Sequence, residues 1–255
     1  MTTNKPMICF YTAHSPNGHK VAITLEELGL PYEVKHLDMS TFQHKEPWFL
    51  DINPNGRIPA LTDTLPDGTS ISLFESGSIM QYLVDRYDDV DHKISYPRGT
   101  KEFYQTQNWL FFQNAGVGPI QGQVNHFVRY SHATEPQTYA TDRYMNETRR
   151  LYRTVDKHLK DTQSAYLVGD KCTIADIALT AWANMLAFAG MDIADFPNVK
   201  SWQQRMASRP TVQKGFNIPV KVDVDKLLND PEAFNAIVAK NKAWIRQGMI
   251  DDRKQ

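Results

Sequence analysis

Ser15 and Asn17 stand where the run "YTAHSPNGHKV" passes from a strand-like pattern to a helix-like one. A helix start presents unpaired N–H groups and the positive end of the helix dipole, so it stabilises an anion. A thiolate held there would have a depressed pKa. The stretch contains no cysteine, so such a sulfur would have to arrive with a ligand. The structural alternative uses the same residues: Ser and Asn are favoured caps, and Pro16 and Gly18 punctuate turns.

Two further clusters carry possible chemistry. In "NGRIPAL", Ile58-Pro59 precedes a short strand. A trans bond would make Pro59 an ordinary edge-strand proline. A cis bond would turn the Ile58 N–H and C=O outward, where they could pair with an extended peptide. In "LFESGSI", Glu75 and Ser76 sit at a strand-to-helix handover. They could be a cap with an acidic first turn. They could also hold a zwitterion, with Ser76 and the helix start on its carboxylate and Glu75 on its ammonium. The three clusters together describe a short peptide-like ligand with a central thiol and an amino-acid head.

The elements that must position these residues follow from patterning. "MICFYT" is apolar and β-prone. Val21, Leu25 and Leu28 recur at helical spacing, with Gly29 as a stop. "YEVKHLDM" reads as a second strand, and "IPALTDT" and "SISLF" as two more joined by a Pro-Asp-Gly turn. "ESGSIMQYLVDRYDD" is a helix with Ile79, Leu83 and Tyr87 on one face. The polar stretch from Ser40 to Arg57 reads as loop with one short helical turn. "DVDHKISYPRG" reads as a linker. Beyond it, residues 101–130, 137–160, 173–189 and 197–208 read as helices, with Pro119 and the glycines at 116, 118 and 122 expected to break or kink the first. "TIAD" fits a capping box, Thr173 to Asp176. The expected organisation is a small α/β domain over 1–90, a linker over 91–98, an all-helical domain over 99–219 and a charged, partly helical extension over 220–255.

Bulk properties narrow the class. Of 255 residues, 41% are hydrophobic, enough for a sizeable core. Lys plus Arg number 28 against 29 Asp plus Glu, which leaves no basic footprint for nucleic acid or an anionic membrane. No apolar run approaches a membrane span, and the N-terminus lacks a secretory pattern. The two cysteines, Cys9 and Cys172, lie far apart without C-x-x-C spacing, which argues against a disulfide scaffold, a zinc site or a dithiol motif. A cytoplasmic protein without a metal, binding neither nucleic acid nor membrane, is expected.

"NPNGRIPAL", "FESGSIMQYL" and "TIADIA" resemble the cytosolic glutathione transferases, a thioredoxin-like N-terminal domain followed by an all-α C-terminal domain. "SPNGHK" and "WLFFQNAGVGPIQGQ" resemble more narrowly the Nu class and its relatives around the fungal nitrogen regulator. The resemblance covers about residues 7–219 and leaves the tail unaccounted for. It implies glutathione as the substrate, with Asn17 activating the thiol and Ser15 as the rival hydroxyl. It implies that the Ile58 backbone grips the cysteinyl unit beside a cis Pro59, that Glu75 and Ser76 hold the γ-glutamyl head, and that His44 reaches the glycyl carboxylate with Arg57 assisting. Arg143 matches a position that can reach a neighbouring subunit's glutathione in a homodimer. Trp109, Phe111 and Phe112 fit a core, yet the small residues after Asn114 open room, so Phe112 and Asn114 are candidates for the second-substrate pocket.

The implied activity is conjugation of glutathione to electrophiles, as in detoxification, or glutathione-dependent reduction of disulfides or peroxides. The alternative is a glutathione-binding regulator without turnover. The nitrogen regulator carries a long Asn/Gln-rich N-terminal segment, whereas about six residues precede the first expected strand here. An enzyme is therefore the expectation.

Overall fold

The computed structural model describes residues 7–222 and 229–253. The remaining positions of the expected first domain and of the C-terminal extension lie outside the described residues. The N-terminal part reads β1 (Ile8–Thr12), α1 (Pro16–Leu28), β2 (Tyr32–His36), α2 (Pro47–Leu50), β3 (Ala60–Thr64), β4 (Ser70–Phe74) and α3 (Ser76–Tyr87). The four strands form one mixed sheet in the order β2-β1-β3-β4. β1 and β2 are parallel, as the crossover through α1 requires, and the β1–β3 and β3–β4 pairs are antiparallel.

Strand register fixes where the loops emerge. Thr12 pairs with His36, Tyr11 with Ala60, and Ala60 with Phe74. The ends of β1, β2 and β4 and the beginning of β3 therefore lie side by side at one edge of the sheet. With strands ~4.8 Å apart, that edge spans ~15 Å, enough for an extended tripeptide of ~10 Å.

α1 is an amphipathic helix by sequence, yet it is buried nearly all round. Val21, Ala22, Ile23 and Leu25 are each fully buried. It packs against the sheet side of α3 and against two helices of the following layer, α7 (Ile174–Ala183) and α9 (Pro210–Phe216). The larger of these, Val21, Ile23 and Leu25, each contribute ~1.5–3 kcal/mol through burial. The core is continuous: Phe10, Val21 and Ile79 belong to the same cluster as Val155, Leu179 and Trp202.

The second layer contains helices and no strand among its described residues. It contains α4 (Lys101–Phe111), α5 (Gly118–Asn125), α6 (Thr138–Thr162), α7, α8 (Pro197–Ala207) and α9. Of the break or kink expected within 101–130, a break does not occur. α4 runs through a π-helical segment, Phe112–Val117, into α5 and then a second one, Phe127 included, over His126–Tyr130. The wider π turn takes Gly116, and α5 takes Gly118, Pro119 and Gly122, with Pro119 in its first turn, without interrupting the helical backbone. Phe111 leaves the core and is 60% exposed. The stretch expected to be helical to 189 ends at Ala183, and a separate 3-10 turn follows at Ala187–Ala189. α9 was not visible in the pattern.

The connection between the layers is tied down. The Asp88 carboxylate accepts from the Lys93 and Ile94 amides and the Ser95 hydroxyl, and Lys171 Nζ donates to the His92 and Ser95 carbonyls. The capping box of α7 forms as the sequence suggests. The tail folds as α10 (Pro231–Asp252), which lies across both layers: Phe234 meets Phe188, and Trp244 meets the ring of His44 at 6.3 Å.

Candidate functional site

All of the N-terminal candidate residues emerge at the one sheet edge defined by the register. Ser15 caps α1, its Oγ accepting from the Gly18 amide at 3.1 Å. Asn17 lies within the first turn rather than at the cap. Gly18 is required by the close approach of strand and helix: a Cβ there would stand 2.3 Å from Thr12 Oγ1 and 2.9 Å from the Ala13 carbonyl. Pro16 has no N–H, and the Gly18 and His19 amides are taken by Ser15 Oγ and the Ser15 carbonyl, so the Asn17 amide is the first-turn donor left for a ligand.

The Ile58-Pro59 bond is cis. The loop before it is pinned by the buried Asn53, whose Nδ2 donates to the Arg57 carbonyl at 2.6 Å and whose Oδ1 accepts from the Asn55 amide. Pro59 is buried, Ile58 half-buried, and the Arg57 side chain exposed. Across β3 from this loop, Glu75 adopts φ 66, ψ 115, an uncommon conformation for a non-glycine residue, which leaves its carboxylate exposed ahead of α3. Ser76, the first residue of α3, is buried.

His44 follows β2 and leaves toward the same edge, but it is not an exposed loop residue. It is 5% exposed, flanked by Phe42 and Trp244, and its Nδ1 has no partner among the described residues. Burial first, then the Lys45 and Arg57 charges, lowers its pKa.

Two features of the site depend on contacts with the helical layer and carry no local signal. The Trp182 indole donates to Asn17 Oδ1 at 3.0 Å. An indole N–H can only donate, so this bond orients the amide with its Nδ2 hydrogens turned to other acceptors. Lys20, on α1, is 1% exposed and donates to Ser76 Oγ at 3.3 Å and Asn114 Oδ1 at 3.2 Å. Sequence periodicity assigns one buried face to α1; a lysine off that face becomes visible as a site residue only when the helix is enclosed from every side.

The candidate pocket residues of the helical layer divide. Asn114 commits its amide to Lys20 and, through Nδ2, to the Leu110 carbonyl. Phe112 packs edge-on to Trp109 at 5.2 Å. Arg143 stands exposed on α6, and no hydrogen bond or ion pair joins it to the other candidates among the described residues.

An anion-ready helix start, a cis-proline loop and a Glu-Ser handover, gathered on one edge of a thioredoxin-like sheet beside a helical layer, set the terms for comparison with known proteins. Residues 14–86 match the model of the glutathione S-transferase N-terminal domain, and residues 124–210 that of the C-terminal domain. The chain belongs to the glutathione S-transferase family. Three relatives place it within the family. The disulfide-bond oxidoreductase YfcG of Escherichia coli is 41% identical over 208 residues, covering 80% of this chain and 92% of YfcG. A glutathione transferase homolog from Lodderomyces elongisporus, crystallised with two GSH per subunit, is 46% identical with a TM-score of 0.79, covering 84% of this chain and 99% of that one. Ure2p in complex with glutathione is 35% identical with a TM-score of 0.76, covering 83% of this chain and 98% of that one. The narrower resemblance to the nitrogen-regulator group thus holds alongside the transferase fold.

In transferase terms, the sheet edge is the thioredoxin-like half and α4 to α9 the helical half. Among the described residues, no His, Cys, Asp and Glu cluster fit for a metal is present and no helix is long and apolar enough to cross a membrane.

Proposed function

We propose that the chain binds glutathione along the sheet edge, holds its sulfur as the thiolate at the start of α1, and uses it as a nucleophile. The observation that carries this reading is the register that brings Tyr11, Ala60 and Phe74 side by side. It aligns the α1 start, the cis Ile58-Pro59 loop and the Glu75-Ser76 pair in the order cysteinyl sulfur, cysteinyl backbone, γ-glutamyl head. Pro59 leaves the Ile58 backbone to pair with the extended peptide, and Glu75 supplies the counter-charge for the ligand ammonium.

Asn17 and Ser15 are both positioned to donate to the sulfur. Asn17 has its oxygen occupied by Trp182 and so offers its N–H, and Ser15 keeps its O–H because its oxygen accepts from Gly18. Neither takes up a proton, so the effect is electrostatic and the thiol proton leaves to solvent. Moving a free thiol from its usual ~8.5 to below neutrality requires ~2 kcal/mol, within reach of one hydrogen bond from a neutral donor plus a helix start. The thiolate then attacks an electrophilic carbon, displacing its leaving group, or a disulfide sulfur, forming a mixed disulfide and releasing one thiol. A second glutathione resolves the mixed disulfide, releasing the other thiol and oxidised glutathione. Both electrons come from glutathione.

The reading extends to His44 with Arg57 at the glycyl carboxylate and to Phe112 lining a second-substrate space. It also extends to a cytoplasmic homodimer in which Arg143 serves the neighbouring site. Cytoplasm is where glutathione is kept reduced. The exposed Tyr104 and Phe111, seven residues apart on α4, give an apolar stripe suited to a subunit contact.

Calorimetric titration with glutathione, paired with turnover on an aryl halide and on a small dialkyl disulfide, tests the reading. Binding with turnover on either substrate is expected. A folded protein that gives no binding heat overturns it, and binding without turnover on either reassigns the chain to regulation.

A further inference from the structure

Lys20 is an ionisable side chain with almost no contact with water, placed between three elements. Its ammonium reaches Ser76 Oγ at the start of α3 and Asn114 Oδ1 in the π turn after α4, while its backbone belongs to α1. The packing is built around this contact. A Cβ at Gly77 would stand 2.9 Å from Asn114 Nδ2, so glycine there lets the amide reach the α3 start. Asn114 Nδ2 is in turn held by the Leu110 carbonyl at 2.9 Å, which fixes its oxygen toward Lys20. A buried ammonium with two neutral oxygen partners is expensive to keep unless a further negative group joins it.

We propose that Lys20 is a positioning residue for the amino-acid head of glutathione, holding Ser76 so that its hydroxyl hydrogen is free for the incoming α-carboxylate. The inference rests on the glutathione reading above. Lys20 donates to the Ser76 oxygen, so that oxygen is engaged as an acceptor. The Ser76 hydrogen meanwhile makes only a long contact, 3.4 Å, with Asn114 Oδ1. That contact is weak enough to be exchanged for a carboxylate oxygen. The third ammonium hydrogen of Lys20 is available to the same carboxylate.

Charge follows from this placement. Burial pushes the Lys20 ammonium down to about 7, and the Glu75 carboxylate acts in the opposite sense. The other titratable groups around α1 are otherwise engaged. His19 is kept neutral by burial, Glu26 pairs with Lys214 of α9 and Glu27 with Arg209 just before it, and Asp176 of α7 is held by Leu167, Thr173 and Trp202. A carboxylate arriving at Ser76 favours the charged lysine, so binding takes up a proton wherever the empty site holds Lys20 partly neutral.

The test uses S-methylglutathione, which lacks an ionisable thiol, titrated calorimetrically near pH 8 in buffers of different ionisation enthalpy. Wild-type protein should bind with uptake approaching about one proton per site. Lys20→Arg, charged at every accessible pH, should keep most of the affinity and lose the uptake. Lys20→Met should weaken binding by about tenfold or more and lose the uptake. Binding by wild type without proton uptake overturns the inference and leaves the glutathione reading intact. So does uptake that persists in Lys20→Arg. Failure of wild type to bind S-methylglutathione and glutathione alike overturns the glutathione reading itself. If Lys20→Met does not fold, the wild-type and Lys20→Arg titrations still decide.

Discussion

The side-chain oxygen of Asn17 accepts the indole N–H of Trp182 at 3.0 Å, across 165 positions of sequence. Through this bond the helical layer sets the direction of a donor in the thioredoxin-like layer. Asn17→Ala removes the donor to the sulfur and also leaves the indole without its acceptor, at a cost of ~1–3 kcal/mol. Trp182→Phe removes only the tether. Measured by thiolate absorbance, the pKa of bound glutathione should rise in Asn17→Ala and rise less in Trp182→Phe. In urea unfolding the two substitutions should be non-additive, because they share one interaction. An unchanged thiol pKa in Asn17→Ala would move the role to Ser15.

Ser15 offers the complementary case. Its oxygen caps α1 through Gly18, so Ser15→Ala should cost ~1 kcal/mol and lower the melting temperature by ~2–4 °C. With Asn17 as the principal donor, the bound-thiol pKa should move little in the same variant. A large rise of that pKa, with stability preserved, would reverse the assignment of the two residues.

How much of this was legible depends on the range of the interaction. The α1 start, the cis Ile58-Pro59 loop, the Glu75-Ser76 handover and the Thr173–Asp176 box each depend on a few adjacent residues, and local chemistry suffices to find them. Lys20 and Trp182 do not declare themselves, because their partners lie 56, 94 and 165 positions away. A lysine in an amphipathic pattern reads as a solvated face until the start of α3 and the Asn114 turn close over it. His44 misleads for the same reason: its burial is imposed in part by Trp244, on a tail whose docking no periodicity announces. Pro119 and the glycines at 116, 118 and 122 read as a break or kink, and the backbone passes this stretch without a break, through a π turn at Phe112–Val117.

The clearest stability prediction concerns Asp176. It is fully buried, and its carboxylate accepts from the Leu167 and Thr173 amides, the Thr173 hydroxyl and the Trp202 indole. Asp176→Ala orphans several buried donors at once and should cost ~3 kcal/mol or more, or prevent folding. Asp176→Asn keeps one acceptor oxygen and should lose less. Chemical unfolding midpoints of the two variants, compared with wild type, check the order.

Removal of α10 should act on His44. Trp244 and Phe42 cover its ring, and burial is the largest cause of its lowered pKa. A chain ending before Pro231 should show the His44 pKa rising toward the ordinary value of ~6.5, followed by its proton resonances through a pH titration. The rest of the fold should persist, because the continuous core is built without residues of α10. An unchanged His44 titration in the folded truncation would mean that the β2–α2 loop alone buries the ring.

His19 should govern acid stability. Its ring is 3% exposed, lies between His14 at 4.6 Å and Phe216 at 5.3 Å, and has no partner for either nitrogen among the described residues. Burial first, and then His14, lowers its pKa to about 3. Above the unfolded value of ~6.5 both states are neutral and the group has no effect on pH dependence. As pH falls below that value the unfolded chain takes up a proton that the folded chain refuses, so stability is lost progressively down to the folded value, by up to ~5 kcal/mol. His19→Phe keeps a ring of similar size and removes both unpartnered nitrogens and the titration. Its unfolding midpoint should match or exceed wild type near neutrality and exceed it by a growing margin as the pH is lowered toward ~4.5. Parallel acid profiles for the two proteins would show that another buried group sets the acid limit.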